Sequence, residues 1–165
     1  MRSAFTGMLL LSLFLSPSSL SAQDRTASLK AAYLYYFTKF VYWPETAKIR
    51  RICIYGKDVE LEQELRKVED KSDGSIQLTY LEENSDDARS ELCDIAFLRN
   101  DQWRDLDVNH GTLLVVDETV VHPDAAIKLI LRNNKLAFDI NRKNAKKKDL
   151  EVSAKLLGLA REVID

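Results

Sequence analysis

Leu113-Leu114-Val115-Val116 are four apolar residues in a row, with Thr112 before them and Asp117 after. A run this short and this uniformly apolar is the pattern of a strand covered on both faces. It requires layers above and below a sheet, and so limits the fold more than any other feature. Asp94–Leu98 reads as a second short buried strand. Residues 51–56 form a β-rich run ending in Gly56, and Ile76–Leu81 alternates apolar and polar residues as a half-exposed strand does. Ile127–Leu131 and Lys135–Ile140 flank Asn133-Asn134, a pair suited to a tight hairpin because Asn tolerates positive φ.

The segments between them read mostly as helices and turns. Val59–Val68 has helical spacing through Leu61, Leu65 and Val68, and Ser72-Asp73-Gly74 is a turn. Residues 84–91 are polar and read as a short helix. Residues 142–149 and 152–163 read as helices, the last with a stripe of Val152, Leu156, Leu159, Ala160 and Val163. This order predicts an α/β fold: a single three-layer domain with a mostly parallel central sheet plus a C-terminal hairpin and helices. No repeat or linker divides the chain.

Residues 28–43 give the clearest helical pattern, with Leu29, Ala32, Tyr33, Tyr36, Phe37, Phe40 and Val41 on one face. Thr26 or Ser28 is placed to cap its start, and Pro44 disfavours helix at Trp43. Half of the chain's aromatic residues lie between Tyr33 and Trp43. Most of that stripe reads as core. Tyr35 and Tyr42 lie off it and, with Trp43, are the candidate partner-binding residues, since aromatics are enriched at interface cores.

Residues 1–22 have the layout of a secretory leader: Arg2, an apolar stretch from Met8 to Leu15, then a small and polar run to Ala22. The apolar stretch is too short to span a bilayer, which takes about 20 residues. Cleavage after Ala22 would leave 23–165 as the exported domain. Export changes how Cys53 and Cys93 are read, because thiols tend to pair outside the cytoplasm. They form no CxxC motif, so the residues leave a structural disulfide and two buried free thiols as readings. A bond would place the first and third strands side by side, since bonded Cα atoms lie about 5.5 Å apart and neighbouring strands about 4.8 Å apart. The strand order is then 2-1-3.

The search for chemistry returns little. There is no GxSxG, P-loop, GxGxxG or HExxH. Gly56-Lys57-Asp58 reads as a plain strand-to-helix turn, because one Gly cannot form a phosphate cradle. His110 and His122, with Asp107, Asp117 and Asp124, lack the spacing of metal ligands and read as loop residues. Arg142, Lys143, Lys146, Lys147 and Lys148 form a basic cluster, ordinarily a solvated helix face, with anionic headgroups or an acidic partner as the other readings. Asp139 is placed to cap the following helix or to pair with those lysines. With 24 Lys+Arg against 26 Asp+Glu, the chain has no basic footprint for nucleic acid. No catalytic residue, cofactor or metal is expected.

In several pieces the chain resembles the YfiR family of periplasmic regulators, which carry a DUF4154-type domain. The pieces are Leu29–Val41 leading to Trp43-Pro44, then Ile52-Cys53-Ile54-Tyr55-Gly56, Cys93–Leu98, Leu113–Asp117, Leu136–Asn141 and Ser153–Ala160. They keep the family's order over nearly all of 23–165. The resemblance implies an α/β domain, a structural disulfide at Cys53–Cys93 and no catalysis. It implies a regulator that holds down the periplasmic sensing domain of an inner-membrane diguanylate cyclase, keeping cyclic di-GMP low. Envelope or redox stress, or an outer-membrane lipoprotein, relieves that restraint in such systems. Related domains are fused to sensor kinases, so the rival expectation is a small-ligand-sensing domain acting with a histidine kinase. Its pocket would be lined by the aromatic helix and the turns after the first and third strands. A homodimer is compatible with either. Two departures stand out: the second Cys pair of some members is absent, and Val121-His122-Pro123-Asp124-Ala125-Ala126 replaces a stretch that is commonly Gly-rich.

Overall fold

The structure, a computed structural model, describes residues 22–82, 92–103, 105–133 and 135–165. The leader expected over 1–22 (all but its last residue), the helix expected over 84–91 and Asn134 lie outside these. The elements in chain order are α1 (Ala22–Phe40), β1 (Val41–Tyr42), β2 (Arg50–Tyr55), α2 (Val59–Asp70), β3 (Ile76–Leu81) and β4 (Ile95–Leu98). A 3-10 turn at Asp101–Trp103 precedes β5 (Leu113–Val116), β6 (Ile127–Arg132) and β7 (Lys135–Asn141). The chain closes with α3 (Arg142–Lys147), β8 (Glu151–Val152), α4 (Ala154–Leu157) and β9 (Glu162–Ile164).

Seven strands form one sheet in the order β3-β2-β4-β5-β6-β7-β9. Pairing is parallel from β3 to β6, antiparallel in the β6–β7 hairpin, and parallel again between β7 and β9. The first strand of the sheet, β2, lies between the second and third, which is the 2-1-3 order. Alternation along each strand sorts side chains to two faces. Ile52, Ile54, Ile95, Phe97, Leu113 and Val115 join a core shared with Ala31, Leu34 and Phe37 of α1 and Leu61 and Leu65 of α2. Cys53, Tyr55, Ala96, Leu98, Leu114 and Val116 face the other way, onto Trp103, Leu106, Val108 and Val120. Among the described residues this second outer layer is coil and a 3-10 turn.

Three expectations are corrected. First, α1 spans Ala22–Phe40, not 28–43, so neither Thr26 nor Ser28 starts it. It ends before Pro44 acts, because Val41 and Tyr42 gain ladder bonds with Val152 and Glu151 and Ser153 N donates to Phe40 O (2.9 Å). Its buried face is Ala27, Ala31, Leu34 and Phe37, while Leu29 and Tyr36 are exposed. The helical period is right and its phase is rotated: small Ala side chains let the helix lie close to its neighbours, with bulky rings to the sides. Second, 152–163 is not one helix. Ser153 caps a single turn that stops at Gly158, Arg161 N then donates to Phe138 O (2.9 Å), and Val163 pairs beside Ile140 in the sheet. The shorter helix α3 ends at Lys147, and Asp149 takes φ +60 in the turn that follows. Third, Asp139 neither caps α3 nor meets the lysines. It pairs with Arg161, whose Nε donates at 2.8 Å, and Asn141 caps α3 by accepting from Asn144 N (3.0 Å).

Candidate functional site

Parallel strands bring their amino ends to one edge of the sheet. The residues just before β2, β4 and β5 therefore meet there, although they are far apart in sequence. They wall a cleft of about 420 Å³ with Trp43, Pro44 and Asp149, and Cys93 lies in its lining. Cys93 is bonded to Cys53, with Cα atoms 5.8 Å apart, which ties the approach to β4 against β2. The free-thiol reading falls with that bond.

One side chain organises the cleft. The Arg50 guanidinium lies 4.5 Å over the Trp43 ring. Its NH1 donates to Asp94 Oδ1 (2.6 Å) and its NH2 to Glu45 O (3.1 Å). Asp94 Oδ2 accepts from Arg51 N (2.7 Å), and Thr112 Oγ1 donates to Cys93 O (2.7 Å). Three strands are thereby stitched around the disulfide. A planar cation over an indole, fixed by a carboxylate, holds the ring in one orientation. Trp43 Nε1 is covered and has no hydrogen-bond partner among the described residues. Leu92, 70% exposed, stands at the rim.

The candidate contact residues occupy three different settings. Tyr42 is 58% exposed on β1. Tyr35 is partly buried beneath Lys39, whose Nζ lies 4.9 Å from its ring. Trp43 is partly buried in the cleft under Arg50. Tyr36, expected in the core, is instead half exposed, and its ring neighbours those of Tyr35 and Phe40 at 6.1 and 6.3 Å. Because Lys39 reaches Ser75 just before β3 while Lys30 reaches Asp117 just after β5, α1 runs antiparallel to the parallel strands. Its aromatic end thus lies toward the cleft edge.

The opposite edge, where the rival pocket was expected, carries a set of ion pairs. Lys30 Nζ sits 2.6 Å from Asp117 Oδ2, and Arg99 pairs with Asp58 Oδ2 at 2.8 Å and with Asp117 at 3.8 Å. Asp58 also caps α2, accepting from Leu61 N (3.0 Å). Gly56, at φ +100, lies so close that a Cβ there would meet Asn100 Nδ2 at 2.9 Å. The turn 56–58 serves packing and capping.

The imidazoles go to separate partners. Asp124 N donates to His122 Nδ1 (3.2 Å), which leaves Nε2 to donate to Leu106 O (3.0 Å). His110 lies 3.4 Å from Asp149 and is largely exposed. Asp107 meets Lys148, and Asp124 meets Lys147. Among the described residues no group of three His, Cys, Asp or Glu is placed to hold a metal. Lys148 also leaves the basic cluster, turning inward to donate to Val108 O (2.6 Å). No helix among the described residues is long and apolar enough to cross a membrane.

Residues 27–161 match the family described as DUF4154, YfiR/HmsC-like. No curated protein matches the chain.

Proposed function

Starting from the fact that this chain belongs to the YfiR/HmsC-like family, whose members are periplasmic regulators of cyclic di-GMP signalling, we propose that it represses an inner-membrane diguanylate cyclase by gripping its periplasmic sensing domain. The family match carries this reading. Residues 1–22 direct export and are removed after Ala22, and 23–165 is the working domain. Grip acts as a population shift: the regulator favours the inactive cyclase by the difference in its affinity for the two conformations, and by no more than that. Tyr42 and Trp43 at the cleft edge, with Tyr35 and its exposed neighbour Tyr36 on α1, supply the contact surface. Tyr35 under Lys39 and Trp43 under Arg50 are already held, and so lose little entropy on binding.

Co-purification of the tagged chain with the periplasmic domains of the cell's inner-membrane diguanylate cyclases tests the reading. The expected result is a complex that Tyr42→Ala with Trp43→Ala weakens at least ten-fold. No complex with any membrane cyclase or sensor kinase of the cell would refute it.

The cleft supports a second reading. Its size falls within the range of small-molecule sites. A ligand there would act on the Arg50–Trp43 contact, either as the releasing signal or as the input to a sensor kinase. A metabolite panel that raises the melting midpoint of the wild type but not of Arg50→Ala is the expected outcome if the cleft is filled.

A further inference from the structure

The basic face of α3 has no role in that account. Arg142, Lys143, Lys146 and Lys147 recur at i, i+1, i+4 and i+5, which puts them on adjoining ridges of one helix face. The other face is anchored: Asn144 and Ala145 are buried, and Asn144 Nδ2 donates to Pro123 O (2.8 Å) and Ala125 O (3.0 Å). Arg142 meets Asp165 (2.7 Å) and Lys147 lies 3.7 Å from Asp124. Lys143 and Lys146 are exposed and, among the described residues, form no ion pair, although Asp149 and Glu151 line a neighbouring depression with Lys146. A shallow depression of about 450 Å³ is lined by these four cations and Asp165. Beside it runs β9, where Ile164 pairs across from Asn141, the cap of α3. Val163 and Ile164 are both exposed there and project to opposite sides of the strand, so one of the two lies on the side of the cations.

We propose that α3 and β9 form a docking face for anionic phospholipid headgroups, on which the exported protein rests against the bilayer. The chain as a whole carries −2, so a cationic face on an acidic molecule orients it toward an anionic surface. A free phosphate is a poorer fit. The depression is lined by long side chains without a cradle of backbone amides. A discrete anion would also leave unused the exposed aliphatic on that side of β9. Cations next to exposed aliphatics are the pairing that peripheral membrane contacts use. The six residues of α3 are too few to insert, so contact stays at the headgroups. The inference stands apart from which protein is repressed: it needs export alone.

Vesicle sedimentation tests it. Protein recovered from periplasmic extracts, its amino terminus read by mass spectrometry, is mixed with vesicles of phosphatidylcholine with and without phosphatidylglycerol. Binding should be at least ten-fold stronger with phosphatidylglycerol and should collapse near 0.5 M salt, where the screening length falls to about 4 Å. Each cation contributes about five-fold near such a surface, so Lys143→Ser with Lys146→Ser should weaken binding about twenty-five-fold. Ile164→Ser should weaken it less, and neither change should move the melting point. Equal binding to both vesicle types overturns the proposal. So does binding abolished by millimolar inorganic phosphate at constant ionic strength, or capture by polyglutamate in place of vesicles.

Discussion

Asp117 answers two cations at once, Lys30 from α1 and Arg99 from the end of β4, and its side chain is only 8% exposed. Removing it leaves Lys30 without its carboxylate in a partly dry setting, while Arg99 keeps Asp58 at 2.8 Å. Asp117→Ala should cost about 3 kcal/mol in urea unfolding, and the double change with Lys30→Met should cost less than the two single changes summed. Strict additivity would show that the pair is not coupled. Tyr80 gives a spectroscopic handle. Burial, opposed by Arg66, pushes its phenol up to about 12. The unfolded chain ionises near 10, so the stability its neutral phenol contributes is present below pH 10 and is lost as pH rises from there toward 12. Tyr80 should titrate near 12 by ultraviolet absorbance, and Tyr80→Phe should lower the amplitude there by one tyrosine. A titration in which all tyrosines ionise together near 10 would contradict the burial. Tyr36 shows why single residues are hard to read from sequence. A helix with rings on several faces fixes the period but not the phase, so Tyr36 and buried Ala31 trade the expected places.

The strands β2 to β7 were legible as elements because each is short, apolar or alternating, and bounded by turn residues; Leu113–Val116 and Ile76–Leu81 appear with the same bounds in sequence and structure. The segment 152–163 was not, because its apolar residues happen to recur at helical spacing. Gly158 and the pull of the sheet edge on Val163 decide the outcome, and the second is a tertiary effect. The cleft was legible only in Trp43 and Cys93. Its other walls come from loops that parallel topology alone brings together. Capping offers an element-scale test at α2, where Asp58 serves as both cap and ion-pair partner. Asp58→Ser keeps the cap and loses the charge, whereas Asp58→Ala loses both. The Ala variant should unfold about 1 kcal/mol more easily than the Ser variant. Equal stabilities would mean that the cap contributes nothing.

At the scale of the molecule, one covalent bond joins the two functions of the fold, a rigid sheet and a shaped edge. The disulfide closes a separation of 40 residues and lies in the core face opposite α1 and α2. In the chain-entropy account such a loop contributes about 4 kcal/mol before native strain is subtracted. Cys53→Ala with Cys93→Ala should lower stability by about 2–4 kcal/mol and loosen the Asp94 and Thr112 contacts that shape the cleft. Reduced grip on the partner should follow, read as a higher dissociation constant in the co-purified pair. The most direct measurement is cyclic di-GMP content in cells lacking the chain, then in the same cells supplied with wild type or with Tyr42→Ala and Trp43→Ala at equal periplasmic levels. The account predicts a several-fold rise on loss, full return with wild type and little return with the variant; unchanged cyclic di-GMP on loss, or equal rescue by both, would contradict it.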